Sequence, residues 1–142
     1  MINKEKSQRG LLDVLNVAGE LKKSSGIRNL ASLYQSADAP YLAAKVLDKH
    51  IKSGNLERTA KNLEYLGAAW RQSQEIEKSI PVMEEAAKKH KTGKLYSQLS
   101  AIYLDGEQFK KAIAAADSAI KKGGLRNPGE PHFYKGNAQM QL

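Results

Sequence analysis

Residues 94–124 read KLYSQLSAIYLDGEQFKKAIAAADSAIKKGG, and their spacing decides the fold. Tyr96, Leu99, Ile102 and Tyr103 fall at i, i+3, i+6 and i+7, one stripe along a helix. Asp105-Gly106 interrupts the run, and Phe109, Ala112, Ile113, Ala116, Ala119 and Ile120 make a second stripe. Lys121-Lys122 then supply cations for the carbonyl end of that helix, and Gly123-Gly124 supplies a left-handed stop. The spacing predicts two helices folded back on one another.

The same pattern lies 33 residues upstream. Leu63, Leu66-Gly67, Trp70, Ile76, Ser79-Ile80, Met83 and Ala86-Ala87 match Tyr96, Leu99-Ser100, Tyr103, Phe109, Ala112-Ile113, Ala116 and Ala119-Ile120 in type and size. A fainter copy, a further 36 residues back, has Ile27, Leu30-Ala31 and Tyr34 on its first helix. Ala43-Ala44, Leu47 and Ile51 lie on its second, and Gly54 is the stop. After the best copy, by 36 again, His132, Lys135-Gly136 and Ala138 begin a fourth first helix. Lys135 stands there where an apolar residue is expected, and Ser79 stands where alanine is expected. The expected organisation is a single domain over residues 1–142. An N-terminal helix at 10–23 precedes repeats at 24–57, 60–92 and 93–126 and a partial repeat at 129–142. Pro81 falls inside a predicted second helix, so that helix is expected to begin late, near Lys78, or to bend gently.

A helix pair of about 34 residues with a bulky residue, Leu-Gly or Leu-small, an aromatic and then alanines resembles the tetratricopeptide repeat (TPR). Small residues at Gly67, Ser100 and Ala112 let the two helices approach, while Trp70 and Tyr103 fill the space above them. One hairpin cannot bury its apolar face alone, so neighbours must stack. The resemblance implies an all-α fold, a right-handed α-α superhelix or solenoid of about three hairpins plus a terminal helix.

Composition excludes several chemistries. The chain has no cysteine, which removes disulfides, thiolate nucleophiles and cysteine metal sites. Its 23 Lys/Arg against 15 Asp/Glu give a net charge of +8, but residues 1–58 and 59–142 carry +4 each, with no basic arm. Lysine outnumbers arginine, so nucleic acid is not the expected partner. No apolar run is long enough for a membrane span, and Asp13 and Asn16 interrupt the only leader-like segment, so no signal peptide is expected.

No catalytic, cofactor or metal site is expected. His50, His90 and His132 fall in different repeats without a second ligand at helical spacing, and Glu75/Glu77 and Glu84/Glu85 point in divergent directions. KSGN and KTGK lack the length of a phosphate loop, and no Gly-x-Ser-x-Gly turn occurs. The basic runs at 88–91, 110–111 and 121–122 sit near helix ends, where they complement helix dipoles or form a patch for an acidic peptide or partner.

In a stacked array the first helices of each pair line the concave side. Packing leaves free Lys61, Glu64, Ala68, Arg71 and Gln72 in one repeat and Lys94, Ser97, Ala101, Leu104 and Asp105 in the next. Arg28, Ser32 and Gln35 extend the surface at one end, and Phe133, Asn137 and Met140 at the other. The basic bias from Arg28, Lys61, Arg71 and Lys94 suits an extended or helical peptide bearing carboxylates. The expected role is a non-enzymatic scaffold for protein partners, or the recognition module of a larger enzyme or assembly.

A narrower resemblance is carried by Arg28-Asn29-Leu30, Pro40 with Ala43-Ala44, Leu47, Gly54, Trp70, Gly123-Gly124-Leu125 and Pro128. These residues are similar to those of the TPR proteins of proteobacterial TonB energy-transduction systems. That resemblance implies a periplasmic protein working beside TonB, ExbB and ExbD, of which this chain is a fragment.

Overall fold

The computed structural model describes residues 4–17 and 19–142. Eight helices and no strand occur among them: α1 Lys4–Val17, α2 Ser24–Ser36, α3 Pro40–Ser53, α4 Ala60–Gln72, α5 Ile76–Lys89, α6 Lys94–Asp105, α7 Phe109–Lys122 and α8 Gly129–Gln141. They group into two compact units, Met1–Arg58 and Thr59–Leu142.

In the first unit α2 and α3 form a hairpin. Pro40 opens α3, where its missing N–H costs nothing, and Gly54 closes it at φ +84°. Ile27, Leu30, Ala31 and Tyr34 on α2 and Ala43, Ala44, Leu47 and Ile51 on α3 are all buried, as their spacing requires. The first helix ends at Val17, earlier than the 10–23 expected. Gly19 turns left-handed at φ +75°, and the Glu20 and Leu21 amides donate to the Leu15 carbonyl, so the chain leaves the helix there.

His50, which the sequence left without a role, ties α1 to α3. It is buried, its Nε2 lies 2.7 Å from Asn16 Oδ1, and Asn55 Nδ2 donates to its Nδ1 at 3.2 Å. Those partners fix a neutral ring with the proton on Nε2. Burial first, and the Lys49 charge second, hold its pKa below the usual 6.5. Because the unfolded chain takes up the proton more readily, His50 stabilises the fold fully above pH 6.5, and that contribution falls as pH drops towards the lower folded value. Urea midpoints compared at neutral pH and about pH 5 should therefore fall further in wild type than in His50→Gln. Equal falls would mean that another group governs acid sensitivity.

The second unit stacks two hairpins, α4/α5 and α6/α7, through α5 and α6, with α8 against α6 and α7. Thr59 caps α4 by accepting from the Asn62 amide at 3.1 Å. The turn inside each hairpin repeats the α2/α3 turn: Asp38, Gln74 and Glu107 sit at φ +57°, +64° and +57°. In each, the next amide donates 2.8 Å back to the carbonyl of the aromatic residue, Tyr34, Trp70 or Tyr103.

Where α4 crosses α5, Gly67 leaves room for the Met83 side chain, which a Cβ at that position would overlap. The completely buried Ser79 hydroxyl, in the place expected for alanine, donates to the Gly67 carbonyl at 2.8 Å. In α6/α7 the hydroxyl has changed sides, and Ser100 on the first helix donates to the Ala112 carbonyl at 2.7 Å. Each crossing holds one serine hydroxyl.

The late start expected for α5 and the packing expected of α8 need correction. The α4/α5 turn fixes the start of α5 at Ile76, before Lys78, so Pro81 lies inside the helix. Its side chain is exposed, and water can satisfy the carbonyl that lacks a helical donor. On α8 the buried positions are Pro131 and Ala138, and His132 faces outward. Lys135, in the apolar place, reaches Asp117 on α7 at 2.8 Å instead of packing.

Candidate functional site

In the second unit the first helices of the pairs, α4, α6 and α8, carry most of the residues expected to face a partner. Arg71 Nε meets Asp105 Oδ2 at 2.7 Å, and Lys94 Nζ stands 3.7 Å from Glu64 Oε2, so α4 and α6 run side by side. Between them lies a cleft of about 540 Å³ lined by Ala68, Arg71 and Gln72 of α4 and Gln98 and Asp105 of α6. Gln72 and Lys61 are exposed on α4, and Asn137 is exposed on α8. Arg28 is exposed on α2, in the first unit.

Ser97 and Ala101 are largely covered, although Ser97 still lines a hollow with Lys94, Gln98, Arg126 and Glu130. They are 3% and 5% exposed in a helix that packs against α5, α7 and α8. Ser97 Oγ is left without a hydrogen-bond partner. The basic bias read from the sequence is also reduced in the middle of the face, where Asp105 neutralises Arg71. Each member of that pair is about 40% exposed (39% and 41%), so separating them costs less than about 1 kcal/mol.

Beside the first turn of α4 the structure gathers residues that the sequence held apart. Tyr65 is 44% exposed, outside the packing stripe, with Lys61 Nζ 6.0 Å from its ring centre. Lys89, His90 and Lys91, read as helix-end charges, line a second cleft together with Lys61, Glu64, Tyr65 and Lys94. The cation that does reach the carbonyl end of α5 is Lys122, which donates to Ala87 O at 3.0 Å and Lys88 O at 3.3 Å. An exposed tyrosine one position from a leucine of the stripe, with four basic residues at 88–91, was the available signal.

Other polar contacts are structural. The Tyr34 hydroxyl donates to Asp13, and the Tyr103 hydroxyl to Glu84. Burial, followed by the acidic partner, pushes Tyr34 up to about 12 and raises Tyr103 as well. Among the described residues no three His, Cys, Asp or Glu side chains converge as metal ligands, and no helix is long and apolar enough to cross a membrane.

No protein-family profile and no curated relative matches the sequence. Solved structures do. The Sgt2 TPR domain from Aspergillus fumigatus superposes with a TM-score of 0.68 at 17% identity, over 83% of this chain and 78% of that one. The fold is the tetratricopeptide-repeat fold. MamA from Desulfovibrio magneticus RS-1, residues 41 to the end, gives a TM-score of 0.70 at 17% identity, over 99% of this chain and 86% of its own. A further MamA structure gives 0.65 at 18% identity, over 99% and 95%. In TPR terms α2/α3, α4/α5 and α6/α7 are the helix pairs, and α4 and α6 are the first helices that line the cleft.

Proposed function

We propose that this chain is a non-enzymatic protein-interaction module that holds a peptide or a partner's helix against α4, α6 and α8. The observation that carries the reading is the cleft between α4 and α6. It is lined by the small Ala68, the buried Met83 and Ile102, and the polar Arg71, Gln72, Gln98 and Asp105. A bound segment forms hydrogen bonds there by opening one exposed ion pair, whose loss costs less than the new bonds contribute. The resemblance of the turn residues supports a narrower reading, a periplasmic component of a TonB energy-transduction system with TonB, ExbB or ExbD as partner.

The test is a photo-crosslinking residue at Gln72 in the full chain, in living cells, beside the same chain carrying Ala68→Arg and Arg71→Glu. Adducts with TonB, ExbB or ExbD that vanish in the double variant are expected, with helix content unchanged. Adducts with other proteins alone, lost in the same variant, would remove the TonB assignment and keep the module. Crosslinks indifferent to both substitutions would defeat the interaction-module reading.

A further inference from the structure

The second cleft of this unit differs from the first in charge. It measures about 690 Å³ and lies between the first turn of α4, the link from α5 to α6 and the first turn of α6. Lys61, Lys89, Lys91, Lys94 and His90 line it against one carboxylate, Glu64. Glu85 holds Lys89 at 3.0 Å. Lys94 stands 3.7 Å from Glu64, too far for a hydrogen bond, and Lys91 is exposed. The cleft between α4 and α6 pairs its one arginine with its one aspartate, whereas this cleft keeps a surplus of positive charge.

The link that carries Lys91 is held in place. His90 Nδ1 accepts from the Thr92 amide at 3.1 Å, and the Gly93 amide donates to Gly123 O at 2.8 Å. Lys91 therefore projects from a fixed backbone, which lowers the ordering cost of binding. Tyr65 adds an apolar ring at the rim, with Lys61 beside it.

We infer that this lysine cleft anchors an acidic segment of a protein partner, a short run of Asp or Glu whose carboxylates are shared among Lys61, Lys91 and Lys94. This rests on the interaction-module reading and names the end of the face where the partner's charge docks. Three features favour a peptide over a nucleic acid. The cations are lysine ammoniums, with no exposed arginine fork in the cleft to grip phosphate. They gather in one hollow and do not track along the surface. Glu64 can accept a hydrogen bond from a peptide's backbone amide, a donor that a phosphodiester backbone lacks.

The probe is a fluorescein-labelled peptide of alternating glutamate and glycine, titrated with the full chain at low salt and followed by anisotropy. Its glutamine counterpart and a labelled DNA duplex serve as controls. The acidic peptide should bind, weaken as salt screens the charges, and lose about tenfold in affinity in Lys61→Gln/Lys91→Gln/Lys94→Gln. Lys110→Gln, at an exposed position of α7 away from both clefts, should leave the affinity unchanged, and Glu64→Gln should raise it. Equal binding of the glutamine peptide, undiminished binding by the triple variant, or preference for the duplex would overturn the inference. The two readings fail separately. Crosslinks lost in Ala68→Arg/Arg71→Glu without acidic-peptide binding would keep the module and remove the lysine cleft. Peptide binding lost in the triple variant, with crosslinks indifferent to α4, would do the reverse.

Discussion

Gly93→Ala is expected to lower the thermal midpoint by on the order of 10 °C, a loss of about 3 kcal/mol, although it adds a single methyl group. The Gly93 backbone is ordinary, at φ −75° and ψ 0°, so conformation does not demand glycine there. Space does. A Cβ would collide with the Ala119 carbonyl oxygen and stand 2.9 Å from its carbon and 3.0 Å from its Cα, and backbone atoms cannot rotate aside. The link between α5 and α6 would have to lift off α7 and give up the hydrogen bond from the Gly93 amide to Gly123 O. Circular dichroism melts would read the effect, and a midpoint within a few degrees of wild type would show that the link can move freely.

Trp70→Ala is expected to cost about 3–5 kcal/mol, comparable in melting temperature. The ring is 4% exposed at the head of the α4/α5 crossing, with Lys78 Nζ 4.7 Å from its centre. Removing it leaves a cavity over the turn whose Glu75 amide is bonded to the Trp70 carbonyl. Trp70→Phe keeps most of the apolar volume, so it should cost much less. If urea denaturation ranked the two variants equally, the ring's volume would not be what closes the hairpin.

The repeat was legible because its packing is written locally, in residues three and four apart, and then copied at intervals near 34. Leu63, Leu66, Leu99 and Ala112 could be assigned to the core from spacing alone, and each is buried. What spacing could not show is what a later element covers. Ser97 and Ala101 occupy positions that face outward in an isolated hairpin, and in the stacked unit they are buried. Gly93 appeared in the sequence only as part of KTGK, because its obligatory neighbour, Ala119, lies in another helix. The Arg71–Asp105 pair spans 34 residues, one repeat, and laying one repeat over the next would have brought the two together. The lysine cleft was half legible: the run at 88–91 could be read as a dipole complement or a partner patch, and only the fold brings Lys61, Tyr65 and Lys94 beside it.

The serine hydroxyl that changes sides between the two crossings bears on how such chains can recombine. Ser79 serves Gly67 and Ser100 serves Ala112, so each hydroxyl and its acceptor belong to one hairpin. Exchanging a whole hairpin moves donor and acceptor together. Exchanging one helix does not: α4 with α7 would have no hydroxyl at the crossing, and α6 with α5 would force two into a space shaped for one. The viable joint for grafting or duplicating a repeat is therefore the link after the second helix, and a splice placed at the turn inside the pair inherits a mismatched contact.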